Sequence, residues 1–282
     1  MLIERIPGEP VAGTYPVAMT TLGDLVDSFD RWFPPELAED WDAVGLLVGR
    51  RSAQVSAVAL AVEVTDATLD WAIKQRAQCL FVHHPLYLRG TTSIDGDHWR
   101  GNLVMRAVEA GLAIFVAHTN ADHARPGVSD ALATALGIVE SRPIRRHPSS
   151  AFLGTGRYGV LAAPTSLSEF AARVAWALPA THAGVRWAGA SDRRIVRVAV
   201  CGGAGGELLE EVDADVYVTS DLRHHPASDY LASGRAALVD IPHAAAESLW
   251  LAPLAARIEQ EFHGLQASVC PLSTDPWSGH HA

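Results

Sequence analysis

Imidazoles and carboxylates gather in four short stretches of this chain: FVHHPLY with His83 and His84, AHTNAD with His118 and Asp122, DVYVTSDLRHH with Asp221, His224 and His225, and DIPHAAAE with His243 and Glu247. Nitrogen and oxygen donors mixed in this way suit Zn, Mn or Fe. His243 and Glu247 stand four residues apart in a helix that Pro242 opens, so both reach one centre from one helix face. Successive residues of an extended chain point to opposite sides, so adjacent His83 and His84 suit a pair of ions, one per imidazole. A bridging carboxylate holds two such ions about 3.5–4 Å apart. Asp122, after the Thr-Asn turn, is read either as a further ligand or as a cap of that turn. Imidazole ligands must shed protons to bind, so metal affinity is expected to fall below about pH 6.5.

The elements that position these groups alternate. TLGDLVDSFDRWF has apolar residues at helical spacing and is stopped by Pro34 and Pro35. The motif WDAVGLLVG follows, and then β-branched runs (VSAVALAV, CLFV, AIFVA) separated by helical patterns (DATLDWAIKQRA, NLVMRAVEAG). A second series has the helices SDALATALG and LSEFAARVAWAL, the strands IVRVAV, ADVYVTS and AALVDI, and a last helix ESLWLAPLAARIEQEF. Such alternation predicts an α/β fold with mainly parallel sheets, in two interlocked lobes. Ligands of open α/β sheets bind beyond the carboxyl ends of strands, and each stretch named above follows a strand. We expect an N-terminal arm at 1–16, a first lobe from 17–128 and 240–272, and a second lobe from 129–239. Prolines and arginines make 124–150 the candidate linker. Residues 243–262 must pack back on the first lobe if His243 and Glu247 are to reach His83 and His84.

Composition narrows the chemistry. The 282 residues are 49% hydrophobic and 19% charged, with a formal net charge of −10 and no basic run, which speaks against bulk nucleic acid as a partner. Lys74 is the only lysine, within WAIKQRAQ, so neither a GxxxxGK[ST] phosphate loop nor a Schiff-base lysine is expected. Cys79, Cys201 and Cys270 are widely spaced, against a disulfide framework and consistent with a cytoplasmic protein. No apolar run is long enough for a membrane span. The loop CGGAGGELL fails GxGxxG because Leu208 stands where the third glycine would be, which weakens a nicotinamide dehydrogenase reading and favours a tight strand-to-helix turn. His98, His147, His182, His263 and the GHH tail have no partner spacing and are assigned no function.

Taken together, WDAVGLLVG, LAVEVTDATLD, FVHHPLY, AHTNAD, VAVCGGAGG, DVYVTSDLRHH and DIPHAAAE, in this order between about Thr20 and Phe262, resemble the GTP cyclohydrolase 1 type 2 homologues, hexameric, dinuclear-metal, NGG-interacting-factor-like proteins. The resemblance implies that His83, His84, Asp122, His243 and Glu247 ligate two divalent ions with Glu247 bridging, and that His118 and His225 act near them on substrate or proton. It implies a homohexamer. Three positions depart from the family pattern: Glu63 replaces an Asp, Ser220 the glycine of TGD, and Pro242 a glycine. Longer members carry an inserted domain for which this chain has no room.

On this basis the expected function is a metal-dependent hydrolase, an activated hydroxide attacking a small anionic substrate such as a purine nucleotide. The alternative is a metal-binding regulatory or assembly protein with little turnover.

Overall fold

The computed structural model describes residues 20–281, so the expected arm at 1–16 lies outside the described residues. The first lobe begins with α1 (Leu22–Trp32), whose N-terminus is closed by a reciprocal pair of bonds between Thr21 and Asp24. Then come β1 (Gly45–Val48), β2 (Ala57–Ala61), α2 (Asp66–Lys74), β3 (Cys79–Val82), α3 (Trp99–Glu109) and β4 (Ala113–Val116). Two short helices, α4 (Thr119–His123) and α5 (Val128–Ala135), lead to β5 (Ile138–Arg142), the hairpin β6 (Arg145–His147) and β7 (Ser150–Thr155), and β8 (Arg157–Ser166). The second lobe continues through α6 (Leu167–Ala177), β9 (Arg186–Ala188), β10 (Arg194–Ala204), β11 (Val216–Ser220), α7 (His224–Ala232) and β12 (Ala237–Asp240). The chain closes with α8 (His243–Ser248), α9 (Leu251–Glu261) and β13 (Gln266–Val269).

Two sheets organise these elements, in the orders β1-β4-β3-β2-β13 and β5-β8-β10-β11-β12-β9. The first is parallel except at its β1 edge. The second is parallel at its centre, β10-β11-β12, with antiparallel strands on both flanks.

Strand alternation divides each core into two faces. In the first sheet Val58, Leu60, Phe81 and Phe115 pack under α1 and α9 with Phe29, Leu254 and Ile258. Ala59, Leu80, Val82 and Ile114 face α2 and α3 through Leu69, Ala72, Leu103 and Ala107. The long C-terminal helical pattern is broken at Leu249 and Trp250: Ala246 of α8 joins the core of the second sheet, whereas α9 returns to the first.

The stretch 124–150 is not a bare linker; it holds α5, β5 and β6. Arg157, fully buried, binds Asp130 through two nitrogens (2.8 and 2.7 Å) and donates to the carbonyls of Ala124 and Gly154 at 2.7 and 2.6 Å. A buried guanidinium with every such acceptor supplied ties this segment into the lobe.

Register explains why the chemistry collects at one edge. Ala61, Val82 and Val116 are aligned across β2, β3 and β4, so the residues that follow each strand emerge side by side. Thr219 and Asp240 are aligned likewise in the second sheet. The carboxyl ends of both sheets meet around α8.

Candidate metal centre

Glu247, on α8 and 2% exposed, is the hub of the cluster. Its Oε1 lies 2.8 Å from His243 Nε2 and 3.4 Å from His83 Nε2, and its Oε2 lies 2.9 Å from His84 Nε2. Asp122 Oδ1 is 3.8 Å from His83 Nε2. Donor atoms of His83, His84 and His118 lie within 4.8 Å of one another, as do those of His84, His243 and Glu247. His83 and His84 therefore converge, with ring centroids 5.1 Å apart, rather than pointing to opposite sides. The physical reason is that β3 ends at Val82: both backbone N–H groups bind the Val62 carbonyl, which turns the chain and suspends strand alternation.

Each imidazole is fixed through its Nδ1 atom. His83 meets the Ala117 carbonyl (2.8 Å), His84 meets Glu63 (3.0 Å), His118 meets Asp42 (2.8 Å) and His243 meets Asp221 (2.6 Å). Donation from Nδ1 to these acceptors aims Nε2 at the centre and would leave its lone pair for a metal once any Nε2 proton is lost, the arrangement that orients metal-binding histidines. The departure at Glu63 thus has a use, its carboxylate reaching His84. Asp221 holds a left-handed backbone, φ 57°, at the end of β11, a conformation that aspartate tolerates.

Electrostatics follow from this crowding. Burial disfavours the charged form of His84, but Glu247 and Glu63 outweigh it and raise its pKa to about 10. The same opposition, with Glu247 and Asp221 as partners, raises His243 to about 9. Burial raises the Asp122 carboxyl to about 6. Burial acts on Glu247 too, yet the surrounding imidazoles hold it well below the usual carboxylate range.

Three atoms test whether a metal fits. His83 Nε2, Asp122 Oδ1 and Glu247 Oε2 are buried with no aligned hydrogen-bond partner among the described residues. Buried polar atoms left unpaired are costly, and three of them around one carboxylate are what cations would satisfy. The donor set fits Zn, Mn or Fe.

Sequence reasoning missed Asp42 as a supporting group, and it missed Gly203. The glycine-rich loop was expected to be a tight turn, but Gly203 has φ +72° and a Cβ there would lie 2.6 Å from Glu247 Oε1. Its carbonyl accepts from Thr219 Oγ1 at 3.0 Å, which holds the loop against the site. His225 sits exposed on α7 beside His224 and belongs to neither donor group.

The family model described as Duf34/NIF3 (NGG1p interacting factor 3) matches residues 20–276. The chain belongs to this family. It is 42% identical over 273 residues to a GTP cyclohydrolase 1 type 2 homolog of Streptomyces coelicolor, covering 94% of this chain and 96% of that protein. To the Mycobacterium tuberculosis protein of the same description it is 32% identical over 370 residues, covering 92% and 97%, so that relative carries residues this NIF3-family chain lacks. A Bacillus cereus protein related to NIF3 shares the fold, with TM-score 0.82 at 21% identity, covering 92% of this chain and 99% of that one. Among the described residues no helix is long and apolar enough to cross a membrane.

Proposed function

We propose that this protein is a dinuclear metal-dependent hydrolase acting on an anionic substrate, with a purine nucleotide, the class named in its relatives' description, as the first candidate. The observation that carries the reading is the convergence of three Nδ1-anchored imidazoles, His83, His84 and His243, on the buried Glu247 carboxylate. His83, His84, Asp122, His243 and Glu247 would hold two ions, with Glu247 between them. Two bound divalent ions would supply Lewis acidity and bring the ionisation of water near neutral pH.

The chain's own groups do the rest. His118, its Nδ1 committed to Asp42, has Nε2 free to take a proton and return it to a leaving group. His225, beyond Asp221 on α7, is the second candidate for that exchange when a larger substrate reaches over the rim. Trp250 stacks edge-on at 5.6 Å from His83 and excludes water from the floor. Asp42, Glu63 and Asp221 add negative charge around the five expected ligands, so the side chains of the site do not themselves attract an anion. That task would fall to bound metal ions, since Arg186, at the mouth of the site, is already ion-paired with Asp240.

We propose a first lobe of 20–128 with 241–272 and a second of 129–240, the expected boundary at 240 moving by one because Asp240 pairs within β12 of the second sheet, and we propose a cytoplasmic homohexamer, in which exposed Trp176 and Phe152 suit contacts between copies. The deciding experiment measures bound metal together with hydrolysis of GTP, phosphodiesters and small amides. Turnover abolished by chelator and restored by metal supports the hydrolase. Two ions per chain without turnover selects the metal-holding regulatory protein.

A further inference from the structure

The loop between β3 and α3 encloses a cavity of about 490 Å³ whose walls include Tyr87, Leu88, Arg89, His98 and Arg100. It lies beyond the carboxyl end of β3, the edge at which α/β sheets bind ligands. It shares no residue with the donor groups of the metal centre or with the cavity that His84 and His243 line.

Two arginines face one acid in this lining. Arg100 is partly buried and held from two sides: its Nε donates to the Leu86 carbonyl at 2.8 Å, and its guanidinium carbon lies 4.2 Å from the centre of the Trp99 ring. Its terminal nitrogens have no carboxylate partner among the described residues, whereas Arg106, further along the same helix, pairs with both Asp66 and Asp70. Arg89, exposed on the loop, has no carboxylate partner among the described residues either. The acid, Asp95, is engaged by its own loop, Oδ1 accepting the Asp97 backbone N–H at 3.0 Å. His98 Nδ1 accepts the Arg100 backbone N–H at 3.3 Å, which leaves the proton of the neutral ring on Nε2 as a further donor. Close packing fixes the wall: a Cβ at Gly101 would lie 1.9 Å from the Asp95 carbonyl oxygen, so only glycine lets the loop approach α3 there.

The donors select the ligand's chemistry. A phosphate monoester is nearly a dianion at neutral pH and presents three acceptor oxygens, enough for two guanidinium forks and an imidazole N–H, whereas a carboxylate brings one charge in one plane. Leu88, 45% exposed, and Tyr87 add an apolar wall, and the volume is that of a small-molecule site, so there is room for the organic part of the ligand as well.

We propose that Arg89, Arg100 and His98 bind the phosphate of a small phosphomonoester whose organic part lies against Tyr87 and Leu88. The site is separate from the metal centre and does not rest on the hydrolase reading or on its purine candidate.

Calorimetry with phenyl phosphate and with inorganic phosphate, on the full chain both metal-loaded and after chelation, tests it. Phenyl phosphate is expected to bind in both states, and more tightly than inorganic phosphate. Arg89→Gln and Arg100→Lys are each expected to weaken it about tenfold or more, the scale of a lost hydrogen bond to a charged group, with metal content unchanged. Arg89→Gln carries the test alone if Arg100→Lys disturbs the loop through the Leu86 carbonyl. Arg173→Gln, at an exposed arginine of α6, is expected to bind as the unmodified protein does. No binding at millimolar ligand, or full affinity in Arg89→Gln, overturns the proposal. Binding that disappears on chelation would place the phosphate on the metals instead, and equal weakening in Arg173→Gln would reduce it to general charge attraction. Inorganic phosphate binding at least as tightly would assign the cavity to free phosphate and remove the phosphomonoester.

Discussion

Asp42 and His118 meet at 2.8 Å across 76 residues of sequence, Asp42 Oδ1 accepting from the imidazole Nδ1. The other oxygen of Asp42 takes the Thr119 backbone N–H at 2.9 Å and the Thr119 hydroxyl, so the carboxylate is fully engaged and its side chain fully buried. Burial raises the carboxyl pKa, but the bonds from His118 and Thr119 prevail and hold it far below the usual range. Asp42→Ala frees the imidazole to change tautomer and orientation. Turnover is expected to fall about 10- to 100-fold, the usual effect of losing such a support, with two ions per chain retained. Loss of an ion from this variant would instead place His118 among the ligands.

Glu247 touches three imidazoles, whereas each histidine contributes a single bond. Glu247→Ala also removes the charge that lies between the two expected ions. After equal dialysis, metal content is expected to drop further in Glu247→Ala than in His83→Ala or His84→Ala. Should Glu247→Ala keep two ions while a histidine variant loses both, Asp122 becomes the bridging candidate.

Gly203→Ala adds one methyl group where the nearest atom is Glu247 Oε1, at 2.6 Å, and where φ +72° already disfavours a side chain. Either the loop or the carboxylate must shift. The expected outcome is lost metal with the fold retained, read as metal per chain beside a circular dichroism spectrum unchanged from the unmodified protein. Full metal content in Gly203→Ala would mean that the loop yields and the carboxylate does not.

What could be read from sequence was the set of residues placed just after strands. His83, His84, His243 and Glu247 are legible because strand ends and an i, i+4 helix pair are local patterns, and the return of α9 followed from requiring them to meet. Asp42 and Gly203 were not, because each acts through a partner far away in sequence, at His118 and Glu247, and no local period encodes such a pairing. The convergence of His83 and His84 was hidden for a related reason: a shared bond to the Val62 carbonyl, not strand geometry, sets their directions. Trp32, Trp176 and Trp250 all stand in helical sequence patterns, yet Trp32 and Trp250 are core and Trp176 is 89% exposed.

Proton linkage at the cluster has a definite sign. In the metal-free chain His84 is raised to about 10 and His243 to about 9, from 6.5, so the folded state holds protons that the unfolded chain releases earlier. Their stabilisation is complete below about pH 6.5 and is lost as pH rises through 9 to 10. The melting temperature in chelator is therefore expected to fall across that interval. Metal binding must expel the same protons, so affinity is expected to keep rising up to about pH 9–10, well above the 6.5 that free histidine would suggest. Asp122, at about 6, is mostly ionised at pH 7 and contributes little to the release. Calorimetry at pH 7 in buffers of different ionisation heat is expected to register about two protons released as the site fills, one each from His84 and His243. No proton release, together with a melting temperature flat from pH 6.5 to 10, would mean that these two imidazoles are already neutral and that the carboxylates around them do not hold their charge.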